Sequence, residues 1–297
     1  MRSTLAMVVL LLAASMAMAQ AGASKTPVPA QGAQGTAAPA PAGPHLPQAK
    51  STAEYDAFNL ANSKTDPAQA EAAADEFAQK FPATELKELL YGHVMYLYQQ
   101  QNNSGKVIVV GRKLIEMNAT NPVPLVAVAS ALAMDTRDSD LDHDARYTEA
   151  SKDAQAALDN MDTGLQVPAN TPPERVTAAK SNLTSIAYDT LGVIAMNQKD
   201  YATAEQNFQK AADLMKDQPD AVVYLRLSVA QDNEKKYQAA LDSANKAAQY
   251  APEGSAEKNL AKQQQDRLQK LLADKSTSSA PPANPAPATP PVATTPH

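Results

Sequence analysis

The run of side chains best spaced for coordination chemistry is Asp138-Ser-Asp140-Leu-Asp142-His-Asp144, with Glu149 eleven residues after Asp138. Alternating carboxylates closed by a glutamate at that distance are how a calcium loop gathers oxygens around a hard cation. Two features oppose a metal role for Asp138, Asp140, Asp142, Asp144 and Glu149. His143 stands where the sharp turn needs glycine, and Glu149 falls in a helical stretch. The competing reading is a solvated acidic loop, and calcium is the one cofactor for which the chain offers a candidate set. Other chemistry is thinly supplied. The absence of cysteine excludes disulfides, thiolate metal sites, a cysteine nucleophile and a lipid-bearing N-terminal cysteine. The four histidines, His45, His93, His143 and His297, are far apart. There is no glycine-rich phosphate loop, no Gly-x-Ser-x-Gly and no His-Glu-x-x-His. These absences make an enzyme the least expected reading.

The elements that would position such residues occupy only part of the 297-residue chain. Of 22 prolines, six lie in residues 21–50 and seven in 275–297, and all 14 aromatics fall between Tyr55 and Tyr250. Residues 20–50 and 275–297 are therefore expected to be disordered spacers, because such tracts bury too little apolar surface to offset chain ordering. The folding unit is about 51–274. Residues 1–19 carry Arg2, an apolar run from Leu5 to Ala14 and the small-residue pattern Ala17-Met18-Ala19. That order predicts a signal peptide cut after Ala19, hence a periplasmic or secreted chain with no stable membrane span after cleavage. Alanine abundance and the lack of cysteine point to a bacterial cell envelope. Without Arg2 the chain has 25 basic against 32 acidic residues. A mildly acidic chain without basic clusters has no electrostatic footprint for nucleic acid.

Within the folding unit an internal repeat is visible. Tyr188, Leu191, Gly192, Ala204, Phe208 and Ala211 recur 36 residues later as Tyr224, Leu227, Ser228, Ala240, Ala244 and Ala247. Each set reads as two helices joined by a short polar turn, at Asn197–Asp200 and at Asp232–Lys236. A bulky Tyr and a Leu three residues on share one helix face, the adjacent small residue admits the partner helix, and the alanine stripe packs back. Upstream, Ala70, Ala74 and Phe77, then Val110, Leu114 and Met117, then Ala150, Ala154 and Ala157 repeat the second-helix beat. Asp66-Pro67 reads as an N-cap followed by a first-turn proline, and Thr171-Pro-Pro-Glu174 as a capping box. The count is five hairpins over residues 52–252 plus a polar terminal helix at Ser255–Lys275.

The order Tyr-x-x-Leu-Gly, then Ala-x-x-x-Phe-x-x-Ala, then Pro219 or Pro252 resembles the tetratricopeptide repeat family, with Tyr188 and Tyr224 in place of the family's Trp. The resemblance implies an all-α fold, a right-handed superhelical solenoid of antiparallel helix pairs. It divides into degenerate repeats over 51–160 and closer matches, with a capping helix, over 174–274. A non-repeating helical bundle is the alternative. The resemblance also implies a binding function, with first helices lining a concave face that takes a protein or peptide. Its groove offsets fall on Asp189, Val193, Met196 and Asn197, and on Leu225, Arg226, Val229 and Asn233. The chain is thus expected to be an exported interaction scaffold, with a calcium-responsive binding module using residues 135–149 as the second reading. Hairpins of this kind bury only one side each, so neighbours must cover the other.

Overall fold

The computed structural model describes residues 47–168 and 170–278; residues 1–19, expected to be a signal peptide, and most of the proline-rich ends lie outside these. Among the described residues there are eleven helices and no strand. Five pairs follow in order: α1 (Thr52–Asn62) with α2 (Pro67–Lys80), α3 (Leu86–Gln100) with α4 (Ser104–Met117), and α5 (Pro122–Asp135) with α6 (His143–Asn160). Then come α7 (Pro173–Asn197) with α8 (Tyr201–Leu214), α9 (Ala221–Asn233) with α10 (Tyr237–Tyr250), and the terminal α11 (Ala256–Ser278). Each helix packs on the next in sequence, which is the layout of a solenoid. The architecture is the all-α array of antiparallel helix pairs that the repeat predicts.

Local chemistry starts these helices where the sequence punctuates them. Asp66 caps α2 by accepting the Gln69 N–H at 2.9 Å, with Pro67 in the first turn. Asp200 does the same for α8 through the Thr203 N–H at 3.1 Å, and Asn121 for α5 through Val123, again with a proline behind it. The capping box expected at Thr171–Glu174 does not form. Pro172 is the N-cap of α7 and no side chain caps it. Pro173 in the first turn has no N–H to satisfy, so less is left for a cap to do.

Three of the intra-pair turns are the same device. Asn102, Lys199 and Lys235 sit in the left-handed region, at φ 53°, 63° and 62°. The N–H that follows each one reaches back to the helix: Asn103 to Tyr98 O, Asp200 to Ala195 O and Lys236 to Gln231 O, at 2.9–3.0 Å. This is the reversal that closes a helix in a tight hairpin. The turns set a common register. In it Tyr91, Tyr188 and Tyr224 are equivalent, and each ring carries a lysine from the second helix of its own pair. Lys113, Lys210 and Lys246 lie 4.9, 5.0 and 5.3 Å from the ring centroids.

That register corrects one expectation. The second-helix stripe of α4 was expected on Val110, Leu114 and Met117. Val110 and Leu114 are buried as expected, but Met117 is 37 % exposed, and counting from the Asn102 turn makes Val107, Gly111 and Leu114 the equivalents of Ala204, Phe208 and Ala211. The pattern is hidden because bulk is exchanged between helices. In α7–α8 the small Gly192 receives Phe208, whose Cε1 lies 2.5 Å from where a Gly192 Cβ would stand. In α3–α4 the large Met95 faces the small Gly111.

Two helices hold the array together. Helix α5 is apolar on every side and buried on nearly every side, as a helix with no polar face must be. Helix α7 has 25 residues and feeds three apolar clusters. Leu183 and Ala187 join α5 and α6, Ile194 joins the cluster formed mainly by α1–α6, and Ala195 joins α8–α10.

Candidate protein-binding face and acidic loop

Two of the residues assigned to the groove by their offsets meet directly. Asp189 on α7 and Arg226 on α9 form an ion pair between the first helices of successive pairs. Asp189 is 7 % exposed, and its Oδ1 has no hydrogen-bond partner. Asp220, the N-cap of α9, stands within electrostatic reach of both. Its carboxyl is pushed up mainly by burial and then by the Asp189 charge, against the pull of the Val222 N–H and Arg226. Val193, Met196 and Leu225 are half-buried and pack along the apolar cluster of α8–α10, with Val193 also touching the neighbouring cluster. Val229 is half-buried but belongs to neither cluster. The remaining two are tied elsewhere. Asn197 donates to the Tyr147 hydroxyl of α6 at 3.0 Å, and Asn233 donates to the Val229 carbonyl of its own helix at 2.8 Å.

The acidic segment is arranged quite differently. Asp138 to Asp142 form the connection between α5 and α6, and Asp144 and Glu149 lie within α6. Glu149 takes both guanidinium arms of Arg112 on α4 at 2.7 Å each. Asp142 takes Arg146 at 2.8 Å, which holds its carboxyl below the usual range. Asp140 accepts the Arg137 N–H at 2.9 Å. Among the described residues no three His, Asp or Glu side chains are gathered closely enough to hold a metal ion. Arginine and backbone donors thus occupy oxygens of Asp140, Asp142 and Glu149, three of the five side chains a cation would draw on. Calcium in millimolar excess is expected to leave the melting temperature unchanged, since a ligand that binds only the folded state must raise it. A rise that depends on Asp140 and Asp142 would return the loop to the metal-site reading.

The arginine clamp on Glu149 exposes a buried neighbour that sequence reading missed. Asp153, one turn on, is 9 % exposed, and its carboxyl is pushed up to about 6. Burial is the main cause and the Glu149 charge adds to it, while Lys152 and Arg112 oppose it. Because the folded state binds this proton more tightly, the stabilisation is complete below the unfolded carboxylate value and is lost as pH rises through about 6. Asp153→Asn is accordingly expected to stabilise by about 2 kcal/mol at pH 8 and by little at pH 4, in urea unfolding at both. Equal effects at the two pH values would remove ionisation as the cause.

No protein-family model and no curated protein matches the chain. Among solved structures, a chain in the crystal structure of the APC/C hetero-tetramer Cut9-Hcn1 is similar over 65 % of this chain and 38 % of that one. The identity is 16 % and the TM-score 0.31, so this chain spans about 38 % of that chain's length and the likeness adds nothing to the packing itself. The class is defined by the helix pairs: a helical-hairpin solenoid with tetratricopeptide-like pairs at α7–α10. No helix among the described residues is long and apolar enough to cross a membrane.

Proposed function

We propose that the protein is an exported, non-enzymatic scaffold that binds a protein or peptide on the face built by α7 and α9. The observation that carries this reading is the Asp189–Arg226 pair spanning two first helices, bordered by the half-buried Val193, Met196, Leu225 and Val229. A charged pair set among apolar side chains is the composition by which a binding surface combines affinity with register. Val229 is the residue to test, because it can be changed without opening an apolar cluster. Val229→Asp is expected to cut recovery of cross-linked partners by tenfold or more. The exposed Gln209→Asp on α8 leaves recovery unchanged. Circular dichroism melts of both variants separate lost binding from lost fold. Equal recovery with Val229→Asp and wild type would move the working surface elsewhere.

Export rests on the leader-like residues 1–19. The mature chain purified from a cell-envelope fraction is expected to begin at Gln20, read by intact mass. A chain retaining Met1 or Arg2 in that fraction would mean an uncleaved anchor.

A further inference from the structure

The charge balance at the junction of α7 and α9 is uneven. Arg226 pairs with Asp189 alone, while the Asp220 carboxyl, engaged as the cap of α9, is near enough to feel both charges. Arg226 satisfies Asp189 Oδ2 alone. Asp189 Oδ1 remains buried without a donor, in a residue 7 % exposed. A buried carboxylate oxygen with no hydrogen-bond partner is an unfilled demand for an N–H donor. An incoming anion would set a third negative charge beside two that water screens poorly. An incoming cation that takes the place of Arg226 on Asp189 keeps the charge balance and adds donors for the oxygen left free. The net charge of −6 over the whole chain adds attraction in the same direction.

We infer that the α7–α9 face selects a partner segment carrying a lysine or arginine, whose side-chain N–H groups engage Asp189 and move the Arg226 guanidinium aside. Arg226 is 24 % exposed along its side chain and so lies on the open side of the pair. In the free protein it acts as a resident stand-in for the partner's cation. Asp220 stays in place as the cap of α9 and supplies the second negative charge. Specificity then comes from the unpaired oxygen that an apolar or acidic residue would leave unfilled, and from the charge that a neutral donor would not bring.

The inference rests on the groove reading above, and the test separates the two. A random dodecapeptide library displayed on phage is panned against the full mature chain, against Asp189→Asn and against Arg226→Gln. The expected result is enrichment of Lys or Arg at one position, flanked by apolar residues. Asp189→Asn should lose the basic preference while keeping the apolar one. A selected peptide, synthesised and titrated, should bind Asp189→Asn about tenfold or more weakly and Arg226→Gln more tightly than wild type, because the resident competitor for Asp189 is gone. Apolar peptides with no basic preference, or an identical preference in Asp189→Asn, overturn the inference and leave the groove intact. Enrichment of Asp or Glu that disappears in Arg226→Gln overturns it in favour of an anionic partner. No enrichment from any of the folded chains overturns the groove reading and this inference with it. Asp220→Asn serves as the second variant if Asp189→Asn does not fold, and should weaken binding of the same basic peptide.

Discussion

Phe208→Ala lowers stability by about 3–5 kcal/mol, and Gly192→Met costs about 1–3 kcal/mol or more, yet the double variant loses less than the two together. The cause is a single shared space. Phe208 is fully buried, and its ring carbons Cε1 and Cδ1 lie 2.5 and 2.6 Å from the position of a Cβ on Gly192. Removing the ring opens a cavity that neighbouring helices cannot close. Adding a side chain at Gly192 forces the ring out of its place. Done together, the changes approach the large-to-small arrangement of α3 and α4, where Met95 Sδ lies 3.5 Å from the Cβ position of Gly111. The coupling expected from a double-mutant cycle is about 1–3 kcal/mol in favour of the pair, read from urea midpoints. Simple additivity would show that the two hairpins are not versions of one packing scheme.

Gly164→Ala is the second large effect, expected at about 3 kcal/mol. Gly164 is buried in the connection from α6 to α7, where it donates to the Asn160 carbonyl at 2.7 Å. A Cβ there would stand far inside the sum of van der Waals radii with the Thr120 carbonyl oxygen, 2.8 Å from its carbon and 3.0 Å from Asn160 O. All of these atoms are backbone, so no rotamer change relieves the clash, and the loop from α4 to α5 must separate from the loop from α6 to α7. For a folded region of this size the melting temperature falls by about 6–12 °C. Gly92→Ala is the matched control. Nothing lies within 4 Å of its Cβ position on α3, and it should gain about 0.5–1 kcal/mol from helix propensity. A loss at Gly92 as large as that at Gly164 would assign the effect to glycine replacement in general.

How much of this was readable in the residues depends on where bulk sits. Pairs α7–α8 and α9–α10 were legible because Gly192 and Ser228 occupy the small position and alanines line the facing helix. Ser228 even reinforces the approach, its hydroxyl donating to the Ala240 carbonyl at 2.7 Å. Pair α3–α4 was legible as helices but not in register, because exchanging large and small between Met95 and Gly111 preserves the packing volume and erases the pattern. The left-handed turns at Lys199 and Lys235 left no trace either, since lysine is not a residue that announces positive φ. At the candidate face, helical offsets put Asp189 and Arg226 on α7 and α9, but not the bond of Asn197 to Tyr147, which depends on where the start of α6 arrives. In the acidic loop, linear spacing of carboxylates could not reveal that Arg112, thirty-seven residues before Glu149, would claim that side chain.

The unbroken course of α7 has a mechanical consequence. A rod about 37 Å long, at 1.5 Å per residue, is anchored in hydrophobic contacts on both flanks and has no seam at which the stack could part. Tension between the ends cannot be relieved by peeling away one hairpin at a time past this girder. The stack must give up contacts on both flanks at once, so the protein behaves as one spring rather than as a string of beads.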